Sequence, residues 1–204
     1  DGVSWDEVFT LPSDSYVQAL AIAPHDDDVV YAGGRDCSGP CQGVVYRTTD
    51  GGENWDLALV MTDTVRSIVI DQWRPWVLYV ADSGYWVLKS DDGGDSWAVI
   101  KPPWWVPPND PSGDMLAIDP NVADHVYLGG YGYIAETVDG GATWSGGSDP
   151  LNMGTPDMPP RALVADNGAE TQTLYAGFSG VWAYGRPALW QPIRVYLPVV
   201  LRNY

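Results

Sequence analysis

Basic residues are scarce in this chain: ten Lys and Arg stand against 27 Asp and Glu, for a formal net charge of −17. Such an excess repels a phosphate backbone and anionic headgroups, so neither nucleic acid nor an acidic membrane is expected as a partner. No apolar run approaches the roughly 20 residues that a membrane helix requires, and no leader peptide is visible at Asp1. Histidine is limited to His25 and His125, neither at metal-ligand spacing from the two cysteines, which leaves no zinc site. Cys37 and Cys41 stand in Cys-Ser-Gly-Pro-Cys, one residue longer than a redox C-x-x-C. They read instead as a disulfide, and with it a secreted or cell-surface protein. Phenylalanine is nearly missing, with two copies against eleven Trp and twelve Tyr. The aromatic packing therefore carries polar atoms that need partners or water. A sustained 3.6-residue apolar period is lacking throughout, and almost no helix is expected.

What the chain has in quantity is turns and a repeat. The 23 Gly and 17 Pro fit many short strands joined by tight reversals. Tyr31, Tyr79, Tyr127 and Tyr175 recur every 48 residues, in Val-Val-Tyr-Ala-Gly, Val-Leu-Tyr-Val-Ala, His-Val-Tyr-Leu-Gly-Gly and Thr-Leu-Tyr-Ala-Gly. Twelve residues before each Tyr lies a second matched run: Ala19-Leu-Ala-Ile, Ser67-Ile-Val-Ile, Met115-Leu-Ala-Ile and Leu163-Val-Ala-Asp. A period of this length with several short strands per unit is the signature of propeller blades. The fold expected is all-β: a propeller of four blades of about 48 residues and four strands each, completed within one chain or by another. Its domain would span 1–192, with blades at about 15–60, 61–108, 109–156 and 157–192 and an N-terminal strand over 1–12. Residues 193–204 form an apolar tail strand.

The third strand of each unit leads to a tight turn and then a Trp. These segments read Thr48-Thr-Asp-Gly-Gly-Glu-Asn-Trp55, Ser90-Asp-Asp-Gly-Gly-Asp-Ser-Trp97 and Thr137-Val-Asp-Gly-Gly-Ala-Thr-Trp144. Asp50, Asp92 and Asp139 are placed to accept backbone N–H groups of their own turns. Gly51 with Gly52, Gly93 with Gly94, and Gly140 with Gly141 permit positive φ there. Trp55, Trp97 and Trp144 can pack over the turn. The fourth copy, Arg186-Pro-Ala-Leu-Trp190, has lost the Asp and the Gly pair, while Asp1-Gly-Val-Ser-Trp5 looks like the end of a further one. The motif resembles the Asp-box, or BNR repeat, of sialidases, sortilin-type receptors, xyloglucanases and photosystem II assembly-factor propellers. The resemblance spans about residues 15–192. It implies that the Asp-box residues are structural and lie away from the binding face.

That resemblance does not settle function, since such propellers serve as enzymes, receptors and assembly factors. A sialidase would need about six blades, converging arginines and an Arg-Ile-Pro start motif. Here the arginines are scattered over the repeat and that motif is absent. The function expected is therefore a non-enzymatic extracellular scaffold or interaction module that binds other copies of itself, with a subunit exchanging terminal strands as one form. The alternative is a glycan-binding or glycoside-hydrolase-like protein. Catalytic residues and a cofactor are not expected. Calcium on Asp26–Asp28, or on Asp91, Asp92 and Asp95, is the one metal considered. Candidate interface residues are Trp5, Trp104 and Trp105 on the Pro-rich connection after Lys101, and Val195, Tyr196, Leu197, Val199 and Leu201 of the tail. Val195, Leu197, Val199 and Leu201 share one face of an extended chain.

Overall fold

The structure is a computed structural model describing residues 4–84, 86–100, 115–130, 133–145, 160–167 and 171–187. It is a β-propeller built from four small antiparallel sheets, and the described residues contain no α-helix. The first sheet comprises β1 (Tyr16–Ala23), β2 (Asp26–Asp36), β3 (Gln42–Thr48) and β4 (Asp56–Met61) in that spatial order. The second repeats the pattern with β5 (Val65–Ile70), β6 (Leu78–Asp82), β7 (Val87–Ser90) and β8 (Ala98–Val99). The third holds β9 (Met115–Ile118), β10 (Val126–Gly130) and β11 (Tyr133–Thr137). The fourth holds β12 (Ala162–Asn167), β13 (Thr171–Gly177) and β14 (Val181–Pro187).

The first two blades have the four strands expected. In the third, Ser145 after Trp144 bridges Glu136, and the expected outer strand beyond it, like that of the fourth blade past Pro187, lies outside the described residues. The tail, 193–204, also falls outside the described residues.

Each blade is a meander of adjacent strands, so its register follows from its hairpins. The innermost strands β1 and β5 carry a bulge at matching positions, between Val17 and Ala19 and between Val65 and Ser67. A bulge there bends the strand. The apolar residues divide into three clusters, and each fills one gap between neighbouring blades. Ala19, Tyr31 and Val45 of the first blade meet Val65, Ile68 and Leu78 of the second. Tyr79, Ala81 and Val87 then face Leu116, Val126 and Leu128, and Tyr127 and Ile134 face Leu163 and Leu174. Inner and second strands are thus apolar on both faces, one face toward each neighbour, which is why their sequences run without polar alternation. Each fully buried Val or Leu contributes roughly 1.5–3 kcal/mol.

Candidate functional site

The strand order gives the propeller two unlike faces. On one lie the turns joining first to second strands and the Asp-Gly-Gly turns joining third to fourth. On the other lie the connections from second to third strand and the crossovers from one blade to the next.

The turn face is built for cohesion. In each Asp-Gly-Gly turn a hydroxyl donates to the Asp and accepts the second Gly N–H: Thr48 Oγ1 to Asp50 at 2.7 Å and from Gly52 at 3.0 Å. Ser90 repeats this with Asp92 and Gly94, and Thr137 with Asp139 and Gly141. The same carboxylates accept the N–H groups of Asn54, Ser96 and Thr143 at 2.8–2.9 Å. All six glycines have φ between +68° and +95°. Hydrogen bonds from the Asn54 and Ser96 side chains, then from their backbone N–H groups, hold Asp50 and Asp92 at a pKa of about 2. Thr143 lowers Asp139 in the same way.

These depressed values lie below the ordinary 3.8, so the stability the carboxylates lend is present above about pH 4 and is lost as pH falls through 2. Wild-type Tm is expected to fall between pH 4 and pH 2 more steeply than that of the Asp50→Asn, Asp92→Asn double variant. Parallel curves from circular-dichroism melts would refute the role.

The turns also join blades. Tyr31 donates its hydroxyl to the Gly93 carbonyl at 2.8 Å, and Arg47 reaches that carbonyl at 2.7 Å and Asp95 at 2.9 Å. Trp97 Nε1 donates back to the Ala58 carbonyl at 3.2 Å, and Trp144 Nε1 to the Ile100 carbonyl at 2.6 Å. One blade further on, Arg74 pairs with both Asp71 and Asp124. Among the described residues no group of three or more His, Cys, Asp or Glu gathers as a metal cage.

The crossover face carries carboxylates and aromatic rings that the turn chemistry does not use. Asp82 ends β6 fully buried. Its Oδ1 accepts the N–H of Gly84 at 2.9 Å and of Trp86 at 2.8 Å, while Oδ2 has no hydrogen-bond partner. Burial, opposed by those N–H groups and reinforced by the Asp63 charge, pushes Asp82 up to about 6. Asp63 itself is exposed on the crossover from β4 to β5. Its carbonyl closes on Gly43 and its side chain on Gly84, where a Cβ would come within 1.8 and 2.2 Å of Asp63 atoms respectively. The N–H of Ser83 donates to the Thr64 carbonyl at 2.9 Å, tying the Asp82 turn to that crossover. Trp86 stands at the end of this turn, partly exposed. In the first blade Gly34 stands at the matching register, paired with Val17 as Asp82 is with Val65. That strand ends two residues later at Asp36, whose carboxylate takes the Ser38 N–H at 2.7 Å and the Tyr46 hydroxyl at 3.1 Å, and whose pKa is lowered by that Ser38 N–H. A Cys37–Cys41 disulfide closes the connection that follows. In the fourth blade Phe178 and Trp182 meet edge to face, with centroids 6.3 Å apart.

Of the residues singled out from sequence, the three Asp-Gly-Gly-Trp groups sit in equivalent turns on one face, and Trp5 is fully exposed. Trp104, Trp105, Val195, Tyr196, Leu197, Val199 and Leu201 lie outside the described residues. Sequence reasoning missed Asp63 and Asp82. The available signal was position: Asp82 lies three residues after the repeating Tyr79, where the other repeats have Gly34, Gly130 and Phe178. The disulfide is compatible with an extracellular location, and no helix is long and apolar enough to cross a membrane.

No family model matches the chain. It is 27% identical over 215 residues to a xyloglucanase of a Paenibacillus species, a match covering 85% of this chain and 20% of the relative. Among solved structures, the Niastella koreensis GH74 enzyme aligns with a TM-score of 0.64 at 17% identity, covering 84% of this chain and 28% of that one. An ancestral GH74 enzyme aligns at 0.57 and 17% identity, over 87% and 25%. YCF48 bound to D1 peptide aligns at 0.58 and 17% identity, over 91% and 55%. The chain thus spans about a fifth of the curated relative's length. These matches correct the expectation of a non-enzymatic scaffold and of no enzyme: a xyloglucanase and GH74 enzymes favour the glycoside-hydrolase-like alternative. That expectation rested on scattered arginines, a sialidase criterion, and on carboxylates that fall mostly in turns. A neutral polysaccharide has no carboxylate for arginines to grip. The structural likenesses, all below 25% identity, establish the β-propeller fold.

Proposed function

We propose that this chain is a secreted propeller of the glycoside-hydrolase type whose crossover face engages a neutral polysaccharide of the xyloglucan class. The observation that carries this reading is the match to a xyloglucanase across 85% of the chain. Two features of the face support it. Partly exposed Trp86 offers an apolar ring of the kind on which a sugar stacks, with a polar Nε1 for its hydroxyls. Beside it, Asp63 is an exposed carboxylate and Asp82 a buried one whose pKa burial raises, and carboxyls are the groups that hydrolysis of a glycoside employs. Asp63 is given the contact with sugar, and Asp82, sealed behind it, the role of positioning residue. The proposal carries no cofactor. The three Asp-Gly-Gly turns are assigned to the Asp-box type, on the opposite face from the sugar.

Affinity electrophoresis through xyloglucan, with reducing-end release measured in parallel, tests the reading. The protein should be retarded by xyloglucan and not by polygalacturonate, whose charge its own acidity repels. Trp86→Ala should weaken retardation about tenfold, the loss of roughly one aromatic contact. Absence of both retardation and release with the intact chain would reject it.

A further inference from the structure

Two exposed indoles share one turn in the middle of the described chain, between β5 and β6. Trp73 is 61% and Trp76 53% exposed there. Among the described residues no aromatic ring stacks on either. The fold does not call for them. One repeat of 48 residues to either side stand His25 with Asp28, and Asn121 with Asp124. The third-blade turn keeps the same bonds without a Trp. Asp71 accepts the N–H groups of Trp73 and Arg74 at 2.9 Å, as Asp119 accepts those of Asn121 and Val122 at 2.8 and 3.1 Å. The Trp76 carbonyl takes the Gly93 N–H at 2.8 Å, as the Asp124 carbonyl takes that of Gly140 at 3.0 Å. Large rings left in water where polar residues serve the turn equally well mark a contact surface.

The rings are also held in place. Trp73 Nε1 donates to the Pro120 carbonyl of the third blade at 3.1 Å, which anchors the indole while most of it stays in solvent. Pro75 restricts the backbone just before Trp76. Arg74, between the two, is committed to Asp71 at 2.7 Å and Asp124 at 3.0 Å, so the turn offers no free cation to an acidic ligand.

We propose that the turn carrying Trp73 and Trp76 is a second sugar contact, on the face opposite Asp63, Asp82 and Trp86, where a neutral polysaccharide lies without being cleaved. The class of polymer rests on the function proposed above. The apolar face of a sugar stacks on an indole, and the turn's matched charges select neither sign of ligand. The area fits such an occupant. Two indoles, each a little over half exposed, present about 200–300 Å², against roughly 800 Å² per partner in a standard protein interface. Rings already anchored lose little freedom on binding. Contacts on both faces raise the local concentration of polymer at the crossover face.

Affinity electrophoresis of the full chain through xyloglucan, with mobility referred to a gel without polymer, tests this. The variant to use carries the third blade's own residues, Trp73→Asn with Trp76→Asp, which this kind of turn accommodates. It should melt like wild type and be retarded about tenfold more weakly. Trp73→Tyr with Trp76→Tyr, which keeps two aromatic faces, should hold most of the retardation. Trp86→Ala should leave the part due to the turn, and combining it with the Asn and Asp substitutions should abolish retardation. If Trp86→Ala changes nothing while the turn variant is released, the crossover face is misassigned and the turn stands. If only Trp86→Ala weakens retardation, the turn is misassigned and the crossover face stands. A wild-type protein that xyloglucan does not retard overturns both. A turn variant that loses self-association in sedimentation and keeps its retardation shows a protein contact instead and overturns this proposal.

Discussion

Replacing Tyr79 by alanine is expected to lower stability by about 3–5 kcal/mol, the range for deleting a buried aromatic ring, while Tyr175→Ala, at a position 40% exposed, should lower it by about 1 kcal/mol or less. The two residues occupy the same place in the 48-residue repeat, but the fourth blade is shifted in register: Tyr79 pairs with Val69 and Lys89, Tyr175 with Val164 and Ala183. Their neighbours differ as well. Tyr79 is fully buried against the third blade, its hydroxyl 3.3 Å from Asp124. Truncating it leaves a cavity between two sheets that their hydrogen-bonded strands cannot collapse. Urea denaturation of both variants checks the contrast. Equal losses at the two positions would mean that stability does not reside in the gaps between blades.

The legible part of this fold is what repeats. A Tyr every 48 residues and three Asp-Gly-Gly-Trp turns expose blade number, strand order and the positive-φ glycines, because a turn of this kind is specified by adjacent residues. Contacts between blades are not legible in the same way. Nothing local in the sequence says that Tyr31 reaches Gly93, or Trp97 Ala58, since those partners are 62 and 39 residues away. The candidate site was hidden for a further reason. Asp82 looks like any acidic residue beside Ser-Gly, and only its depth sets it apart from Asp36, which keeps a Tyr46 partner. Function was least legible, because the turns that identify the fold lie on the face opposite to the one assigned to sugar.

Asp82→Asn should make the protein more stable at pH 7.5, by about 1–3 kcal/mol, and leave it nearly unchanged at pH 4. The carboxyl is buried, and burial holds its pKa at about 6 against an ordinary 3.8. The folded state therefore binds more protons than the unfolded state between those values. Stability from this group is fully present below about pH 4, declines as pH rises through 6, and is gone above, the reverse of the pattern for Asp50 and Asp92. A displacement of this size corresponds to roughly 3 kcal/mol at neutral pH. Asparagine keeps an oxygen for the N–H groups of Gly84 and Trp86 and removes the charge, but places an amide where Oδ2 finds no partner, which offsets about 1 kcal/mol or more. Asp82→Ala instead orphans both N–H groups and should destabilise at every pH. Guanidinium titrations from pH 4 to 8 separate the cases. A difference between Asp82→Asn and wild type that stays flat with pH, or that favours wild type at pH 7.5, would show that this carboxylate is not strained by its burial. A carboxylate retained where its neutral analogue is more stable is a residue kept for something other than folding, and Asp82→Asn then becomes the variant in which to measure sugar retention by Asp63 and Trp86.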